Sequence, residues 1–426
     1  MKKVSVLIFI GMLGGLLGGC GDKTEAKSLS VYIVQEDALY DSAMIDYLQN
    51  YQDVDLDVEY FETYDDVNER LNTELMSGEG PDVLLFNSLY SDVDPYKMAG
   101  SGMFLALDEQ VAELDGEAYF SELLDAGKVN GHQYYIPLSW NVLQVYSTPE
   151  KVTGEDLYTS MLTEAEAIAK DTSVGLTTYK FLRNDWMNYF MEIAGNSLID
   201  VETGNLREQK EGIQQTAEFL KVLYGAYDQS ATVGMKYNKD FAGGITHMSY
   251  NMGNISLLTD LRFFESTYPK YTESEMAFST FERQDGEGIT AQVIQYGAIN
   301  ANTENKEAAW QLLQSIMDVQ PTVNFARTQL KKAFYAPVNI AAYEECVRQL
   351  TIQKGPTGGT AKVGPLSSKY GEVMKELPEK ISEAVIPNLT YGEIVQECME
   401  SYLKGGDSFD SCYDKLVQQT ELYLSE

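Results

Sequence analysis

One stretch, residues 131–146, constrains the fold more than any other part of the chain. It enters an aromatic and apolar run at 134–136, and Pro137 then removes a backbone hydrogen-bond donor and fixes φ. A second apolar run, residues 138–145, is long enough for another buried strand. Two strands broken at a proline suit a segment that leaves one sheet and enters another. A single edge strand with a bulge at Pro137 explains these residues equally well.

The length and charge of the chain bound its class. With 426 residues it is too long for one ordinary core, which predicts about two or three domains. The formal net charge of −34 at pH 7 argues against nucleic acid and anionic lipid as partners of the folded body, because phosphate binding needs concentrated Lys and Arg. We therefore expect no nucleic-acid partner.

The N-terminus has the pattern of a bacterial lipoprotein signal. A positive start is followed by an apolar stretch, residues 4–17, that is too short to span a membrane comfortably. The small-residue sequence LGGC then ends at Cys20. We expect a lipoprotein signal peptide over 1–19, lipidation of Cys20 and a polar tether over 20–28. An ordinary secretory signal with a chance cysteine is the alternative.

The other cysteines and the acidic loops give no metal pattern. A disulfide between Cys398 and Cys412 suits an oxidising compartment, whereas free buried thiols at these positions and at Cys346 are the alternative. The chain has only two histidines, and the spacing does not suit zinc. An EF-hand loop starting at Asp53 would lack both its glycine and its final glutamate. We expect no metal and no cofactor.

The mature chain begins with alternating strands and helices. Three strand patterns and two helical patterns alternate between residues 29 and 86. This order is typical of a mostly parallel α/β sheet. Ligands of such sheets bind beyond the carboxyl ends of the strands, which are residues 35–37 and 86–88 here.

The alternation starts again after the 131–146 stretch. Its elements are a capped helix from Thr163, an aromatic helix from Trp186, an alternating strand at 289–293, an amphipathic helix over 306–318 and two helices in the tail, 390–426. A second α/β unit is therefore expected.

Several short motifs follow one another along the chain in a fixed order. They are LGGC ending at Cys20, SGEGPDV at 77–83, YIP at 135–137, LTE at 162–164, GITHM at 244–248, NKEAAW at 305–310 and APV at 336–338. Each motif is weak alone, but in this order they are much stronger. Together with the acidic helical tail, they resemble the extracellular solute-binding proteins of ABC sugar importers, the group that includes maltose-binding protein.

The resemblance implies an α/β fold of two lobes, the periplasmic-binding-protein-like fold of type II. Each lobe would be a mixed sheet flanked by helices, and crossing hinge strands would join the lobes near Pro137, at 293–298 and near Pro337. The N-terminal lobe would comprise 29–138 and 298–335, and the C-terminal lobe 139–297 and 336–426. The two-sheet interpretation of residues 131–146 is then favoured.

The resemblance also implies a function. It predicts a monomeric binding protein, not an enzyme, that captures a carbohydrate, most simply an oligosaccharide, between the lobes. The ligand would pass to the permease subunits of an ABC transporter with a separate ATPase, and a lipid on Cys20 would hold the protein on the extracellular side of the membrane. Ser147 and Asn254 depart from the family pattern of Asn and Trp at about these places, which predicts a pocket unlike that of maltose binders.

Candidate ligand-binding residues follow from the chemistry of sugars and from the family pattern. Aromatic rings stack on the apolar CH faces of a sugar, while Asp, Glu, Asn and Gln bond its hydroxyls. The predicted stacking platforms are Phe86, Trp140 and Trp186, with core packing as the alternative for each. The predicted polar ligand-binding residues are Glu36, Asp37, Asn87, Asn141, Asn251 and Asn254. Some of the 29 tyrosines are also expected to line the cleft.

Two other functions stay open from the residues alone. A surface-anchored glycoside hydrolase needs two carboxylates about 5–10 Å apart. With 65 acidic residues such a pair is easy to find by chance, and no sequence feature singles one out. A binder of a solute other than a sugar is the second alternative.

Overall fold

A computed structural model of the protein describes residues 28–34, 55–88, 91, 93–147, 157–159, 162, 186–233, 251–252, 277–318, 336–352 and 368–425. The strands are β1 (Leu29–Val34), β2 (Leu56–Phe61), β3 (Val83–Asn87), β4 (Lys128–Val129), β5 (His132–Gln133), β6 (Ile136–Asn141), β7 (Leu143–Ser147), β8 (Ile199–Asp200), β9 (Asn205–Leu206), β10 (Asn251–Met252), β11 (Ala277–Thr280), β12 (Ile289–Ile299), β13 (Ala336–Pro337) and β14 (Ile381–Val385). The helices are α1 (Tyr64–Ser77), α2 (Pro95–Gly100), α3 (Asp108–Ala112), α4 (Ser121–Asp125), α5 (Trp186–Ile193), α6 (Lys210–Val233), α7 (Lys306–Met317), α8 (Ile340–Ile352), α9 (Ser368–Glu376), α10 (Leu389–Leu403) and α11 (Phe409–Ser425).

Seven strands form the main sheet. β2, β1 and β3 are parallel neighbours, β12 lies antiparallel to β3, and β6 lies antiparallel to β12. β13 pairs with β6, and β14 pairs in parallel with the first half of β12. The predicted parallel strands at the start of the chain are confirmed, with α1 between β2 and β3. The helical pattern predicted between β1 and β2 lies outside the described residues.

The main sheet lies between two layers of helices. Val31 and Ile33 of β1 share a core with α7, α8 and α9. Tyr32 and Val34, on the opposite face of the same strand, share a second core with α1 and α2. This alternation is the period-2 pattern of a strand whose two faces are both covered.

A separate core forms the other lobe. It is built from α5, α6, α10 and α11 together with Leu143 and Phe281. Beside it, β10, β7 and β11 make an antiparallel sheet of three strands. The protein is therefore two-lobed and α/β, as predicted.

The chain passes from the main sheet to the second sheet at Val142. β6 runs through Pro137 and remains in the main sheet, whereas β7 pairs in the second sheet. The strand can continue through Pro137 because neither neighbouring strand needs the backbone N–H that proline lacks. β13 pairs only with Ser139 and Trp140, and β12 shifts its register beside Tyr296, the residue that pairs with Pro137. The two-sheet interpretation is confirmed, but the break lies at Val142 and not at Pro137.

β12 is the second crossing strand. β11 belongs to the second sheet, and the chain enters the main sheet with β12. The strand predicted around 289–293 extends to Ile299, and all eleven of its residues are buried. The apolar and polar residues that alternate in the sequence therefore lie on the two faces of β12, and both faces are buried. Thr290 and Gln292 lie on one of them.

The segment after residue 336 first returns to the main sheet. Tyr343 of α8 packs against Phe120 and Trp140, and α8 and α9 belong to the same core as these residues. The chain reaches the core of the second lobe again only with α10. The lobe boundaries drawn from the resemblance remain predictions.

Cys398 and Cys412 are buried free thiols of the second lobe, so the disulfide alternative is not formed. Over the described ranges, no helix combines the length and apolarity that a membrane crossing requires. In the same ranges, no group of three or more His, Cys, Asp or Glu side chains is arranged to hold a metal ion.

Asp82, the acidic residue of the SGEGPDV motif, connects three segments of the first lobe. Its carboxylate accepts hydrogen bonds from the backbone nitrogen and the hydroxyl of Ser30 in β1, both at 2.8 Å, and from the hydroxyl of Thr303 after β12. Burial alone would raise the pKa of Asp82, but the hydrogen bonds from Thr303 and Ser30 outweigh it and hold the pKa below its usual value.

We expect Asp82→Asn to lower the free energy of unfolding at pH 7 by about 1–3 kcal/mol, since the amide loses one acceptor. A carboxyl group with a lowered pKa stabilises the fold above its unfolded pKa of about 4, and this contribution is lost as the pH falls through the folded pKa. The difference between the wild type and the variant should therefore shrink at about pH 3.

Urea unfolding at both pH values measures this difference. The matched control is Asp57→Asn, since Asp57 is an exposed carboxylate on β2. A difference of equal size at both pH values would contradict the role given to Asp82.

Candidate ligand-binding site

The crossing strands place amide side chains in the middle of the main sheet. Asn87, the last residue of β3, lies opposite Gln295 of β12, and Asn141, the last residue of β6, lies opposite Gln292. All four residues are at most 2% exposed. The structure thus brings two predicted ligand-binding residues to the same central strand. Buried amides cost free energy unless they are bonded, and they are typical of sites with a function.

Glu192 joins these amides to the second lobe. It lies on α5, whose eight residues are all buried. Its Oε1 accepts a hydrogen bond from Asn188 Nδ2 at 2.7 Å, and its Oε2 accepts one from Gln292 Nε2 at 3.4 Å. The Oε1 atom of Gln292 is buried and has no hydrogen-bond partner among the described residues. A buried carboxylate held by two amide donors therefore lies where α5 meets β12.

A cavity of about 350 Å³ lies beside Glu192, and we call it the interlobe cavity. Its first-lobe wall is formed by α2, α4 and β4, and its second-lobe wall by α5 and the region of β8 and β9. β14 and the start of α10 complete it. This volume falls in the range of pockets that bind small molecules.

The wall of the interlobe cavity is mainly acidic. Five carboxylates line it, from Glu122, Asp125, Glu192, Glu202 and Glu383, against the two cations Lys128 and Arg207. Lys128 Nζ lies 2.5 Å from Asp125 Oδ1. Arg207 lies 3.6 Å from Asp200 Oδ1 and 4.0 Å from Glu383 Oε1. Because carboxylates already pair with both cations, the cavity disfavours anions.

Two tyrosines add aromatic surface to the cavity. The Tyr96 hydroxyl donates to the backbone carbonyl of Ile386 at 3.0 Å. This hydroxyl is buried, although part of the residue is exposed, and burial followed by the charge of Glu192 raises the pKa of Tyr96 well above its usual value. The Tyr391 hydroxyl bonds Thr420 at 2.8 Å, and burial raises its pKa too. Both rings are therefore neutral near pH 7.

Two predicted stacking platforms pack as core residues, and the expectation is corrected for both. Phe86 is 3% exposed and stacks on Tyr296 with ring centroids 5.1 Å apart. The Trp140 indole nitrogen donates to the backbone carbonyl of Pro337 at 2.9 Å, and the side chain is 1% exposed. Both side chains point from strands of the main sheet into its helical layers. Neither ring offers a face to a ligand.

Trp186 belongs to the core of the second lobe, where it packs on Phe190 with ring centroids 5.4 Å apart. The helix was predicted correctly, but its aromatic residues are buried among one another. Asn251 lies on β10, where its backbone pairs with that of Gln144. The predicted residues Glu36, Asp37, Asn254 and Cys20 lie outside the described residues.

Two buried polar residues of the cavity wall, Asn188 and Glu192, were not predicted. The sequence does carry a signal for them. They are the only amide and carboxylate in the run WMNYFMEI, and their spacing of i and i+4 puts them on one side of the helix. A polar pair of this kind within an apolar helix indicates a bonded, buried pair, since unbonded burial costs free energy.

Comparison with known proteins identifies the family. Residues 43–350 match the bacterial extracellular solute-binding proteins. The chain belongs to this family. No functionally curated protein matches the chain significantly.

Solved structures of solute-binding proteins share the fold over nearly the whole chain. The sugar-binding protein MalE from Xanthomonas citri is 15% identical, with a TM-score of 0.65 over 94% of this chain and 98% of that one. The GacH receptor of Streptomyces glaucescens, determined unliganded and with acarbose and a homologue, is 14% identical, with a TM-score of 0.61 over 94% and 98%. The binding protein of B. animalis subsp. lactis in complex with β-1,6-galactobiose is 13% identical, with a TM-score of 0.61 over 94% and 98%. At these identities the likeness establishes the two-lobed fold.

Proposed function

We propose that this solute-binding protein captures a neutral oligosaccharide in the interlobe cavity and releases it unchanged. The observation that carries the proposal is Glu192, a carboxylate oriented by Asn188 and Gln292 at the wall of a cavity between two lobes. Carboxylates and amides fixed in this way accept hydrogen bonds from sugar hydroxyls, and the partly exposed ring of Tyr96 can pack on a sugar CH face.

The charges of the interlobe cavity favour a neutral ligand over other solutes. Amino acids, peptides and acidic sugars all carry a carboxylate that needs a cation. The cations of the cavity wall, Lys128 and Arg207, already lie beside Asp125 and Glu383. A neutral sugar requires no such cation. The sugar ligands of MalE, GacH and the B. animalis protein support the same class of ligand.

We propose further ligand contacts at polar residues predicted from the sequence. Asn87 and Asn141 lie on the two strands that pair with β12, next to Gln292 and Gln295. The other proposed contacts are Glu36, Asp37, Asn251 and Asn254.

Delivery to an ABC permease with a separate ATPase completes the proposed function. The family is one of extracellular binding proteins, and the similar protein from B. animalis is described as associated with an ABC transporter. The protein would act as a monomer at the extracellular face of the membrane.

Glu192→Gln tests the site. We expect neutral oligosaccharides to raise the melting temperature and to be recovered intact, whereas uronic-acid oligosaccharides, amino acids and peptides leave it unchanged. With the best sugar, calorimetry should show that Glu192→Gln weakens binding about 10–100-fold, since hydrogen bonds to charged groups are worth about 1.5–3 kcal/mol. The control is Glu69→Gln, an exposed position on α1, which should bind as the wild type does. Best binding by an anionic solute, cleavage of the sugar or full affinity in Glu192→Gln would contradict the proposal.

We also propose that a lipid on Cys20 anchors the protein, because the LGGC site places this cysteine where lipoprotein processing requires it. We expect Cys20→Ala to leave the membrane fraction or to retain its signal peptide, because it lacks the thiol that carries the lipid. Immunoblots of membrane and soluble fractions measure both outcomes. A Cys20→Ala protein that is processed and membrane-bound like the wild type would disprove the anchor.

A further inference from the structure

Three side chains form a closed ring of hydrogen bonds beside the interlobe cavity. The Tyr423 hydroxyl donates to Asp94 Oδ2 at 2.5 Å. Asn388 Nδ2 donates to Asp94 Oδ1 at 3.0 Å and to the Tyr423 hydroxyl at 2.9 Å. We call this ring of Asp94, Asn388 and Tyr423 the interlobe latch.

The interlobe latch joins elements of the two different lobes. Asp94 precedes α2, whose residues Met98 and Ala99 belong to a core of the main sheet. Tyr423 lies on α11 and belongs to the core of the second lobe. One further contact follows the same path, since Lys97 Nζ lies 4.5 Å from the centre of the Tyr423 ring.

The latch residues also hold the ends of the helices that bear them. Asp94 Oδ1 accepts from the backbone nitrogens of Tyr96 and Lys97, both at 3.0 Å, and so caps α2. Asn388 Oδ1 accepts from the backbone nitrogen of Tyr391 at 3.0 Å and caps α10. The two helix starts are therefore fixed to one another through their own capping side chains.

The interlobe latch forms one side of the ligand cavity. Asn388 lines the interlobe cavity, and Tyr96, two residues from Asp94, lines it as well. Lobes that separate between α2 and α11 must break the hydrogen bond from Tyr423 to Asp94. Asn388 and Tyr423 are 2% and 5% exposed, so these bonds are largely shielded from water and are stronger than surface bonds.

We propose that the interlobe latch holds the ligand-free protein in its closed form, and that Asp94, Asn388 and Tyr423 are positioning residues for the cavity. A ligand that touches both lobes binds the closed form, so its apparent affinity is scaled by the closed fraction. The latch raises this fraction before any ligand arrives. This inference goes beyond the proposed sugar and holds for any solute bound between the lobes.

Tyr423→Phe tests the latch in ligand-free protein. The variant keeps the ring and both helix caps but loses the only hydroxyl bond to Asp94 Oδ2 among the described residues. We expect the ratio of closed to open protein to fall about tenfold, equivalent to about 1.4 kcal/mol. Small-angle X-ray scattering should then give a larger radius of gyration than for the wild type. The matched control is Tyr343→Phe, which removes a buried hydroxyl bond to Met374 within one core and should leave the radius unchanged.

A second variant keeps the test decisive if Tyr423→Phe folds poorly. Asn388→Asp still offers an oxygen to cap α10, but it loses the amide donor and places a second carboxylate beside Asp94. We expect it to open the lobes at least as far as Tyr423→Phe. With a bound solute available, Tyr423→Phe should also weaken binding by up to about tenfold while Tyr343→Phe does not. A radius of gyration equal to that of the wild type in both latch variants would overturn the proposal, whether or not a sugar is the ligand.

Discussion

The strand β12 is the constraint on which both lobes depend. It pairs with β3, β6 and β14, and every one of its residues is buried. A strand in this position would normally be apolar throughout, yet it carries Gln292 and Gln295. Their partners come from both sides of the molecule, since Ser139 donates to Gln295 at 2.8 Å and Gln292 donates to Glu192 of the second lobe. The bond from Gln292 to Glu192 joins the two lobes at β12, and the interlobe cavity lies beside Glu192.

Much of the fold could be predicted because local chemistry specifies its elements. α1 begins with the capping box of Thr63 and Asp66 and ends at Gly78, whose φ of 79° suits glycine. The crossing between sheets was predicted at Pro137, but the strand passes through it. The strand can pass through Pro137 because β13 is short and β12 changes its register there. Neither feature can be read from residues 131–146. The position of the crossing therefore could not be predicted, because it depends on strand pairing between segments that are distant in the sequence.

The candidate site was harder to predict because side chains of the same type serve both cores and cavities. Phe86 and Trp140 fit the pattern of sugar platforms, but they also fit two helical layers, and core packing prevails. Asn87 was placed correctly at a strand end, whereas Asn141 ends β6 within the run 138–145 that was predicted as one strand. Glu192 was missed because a single carboxylate in a helix is usually solvated. Only the packing of α5 against α10 and β12 makes it buried.

We infer that a solute binds between the lobes against Glu192 and the capped start of α10. A crystal structure of the protein with its best-binding oligosaccharide tests this most directly. We expect a sugar hydroxyl within hydrogen-bonding distance of Glu192, about 2.5–3.2 Å, with the sugar touching both lobes. We also expect the bonds between Asp94, Asn388 and Tyr423 to be present in the complex. A sugar bound to one lobe only, or bound away from Glu192, would show that the binding site lies elsewhere.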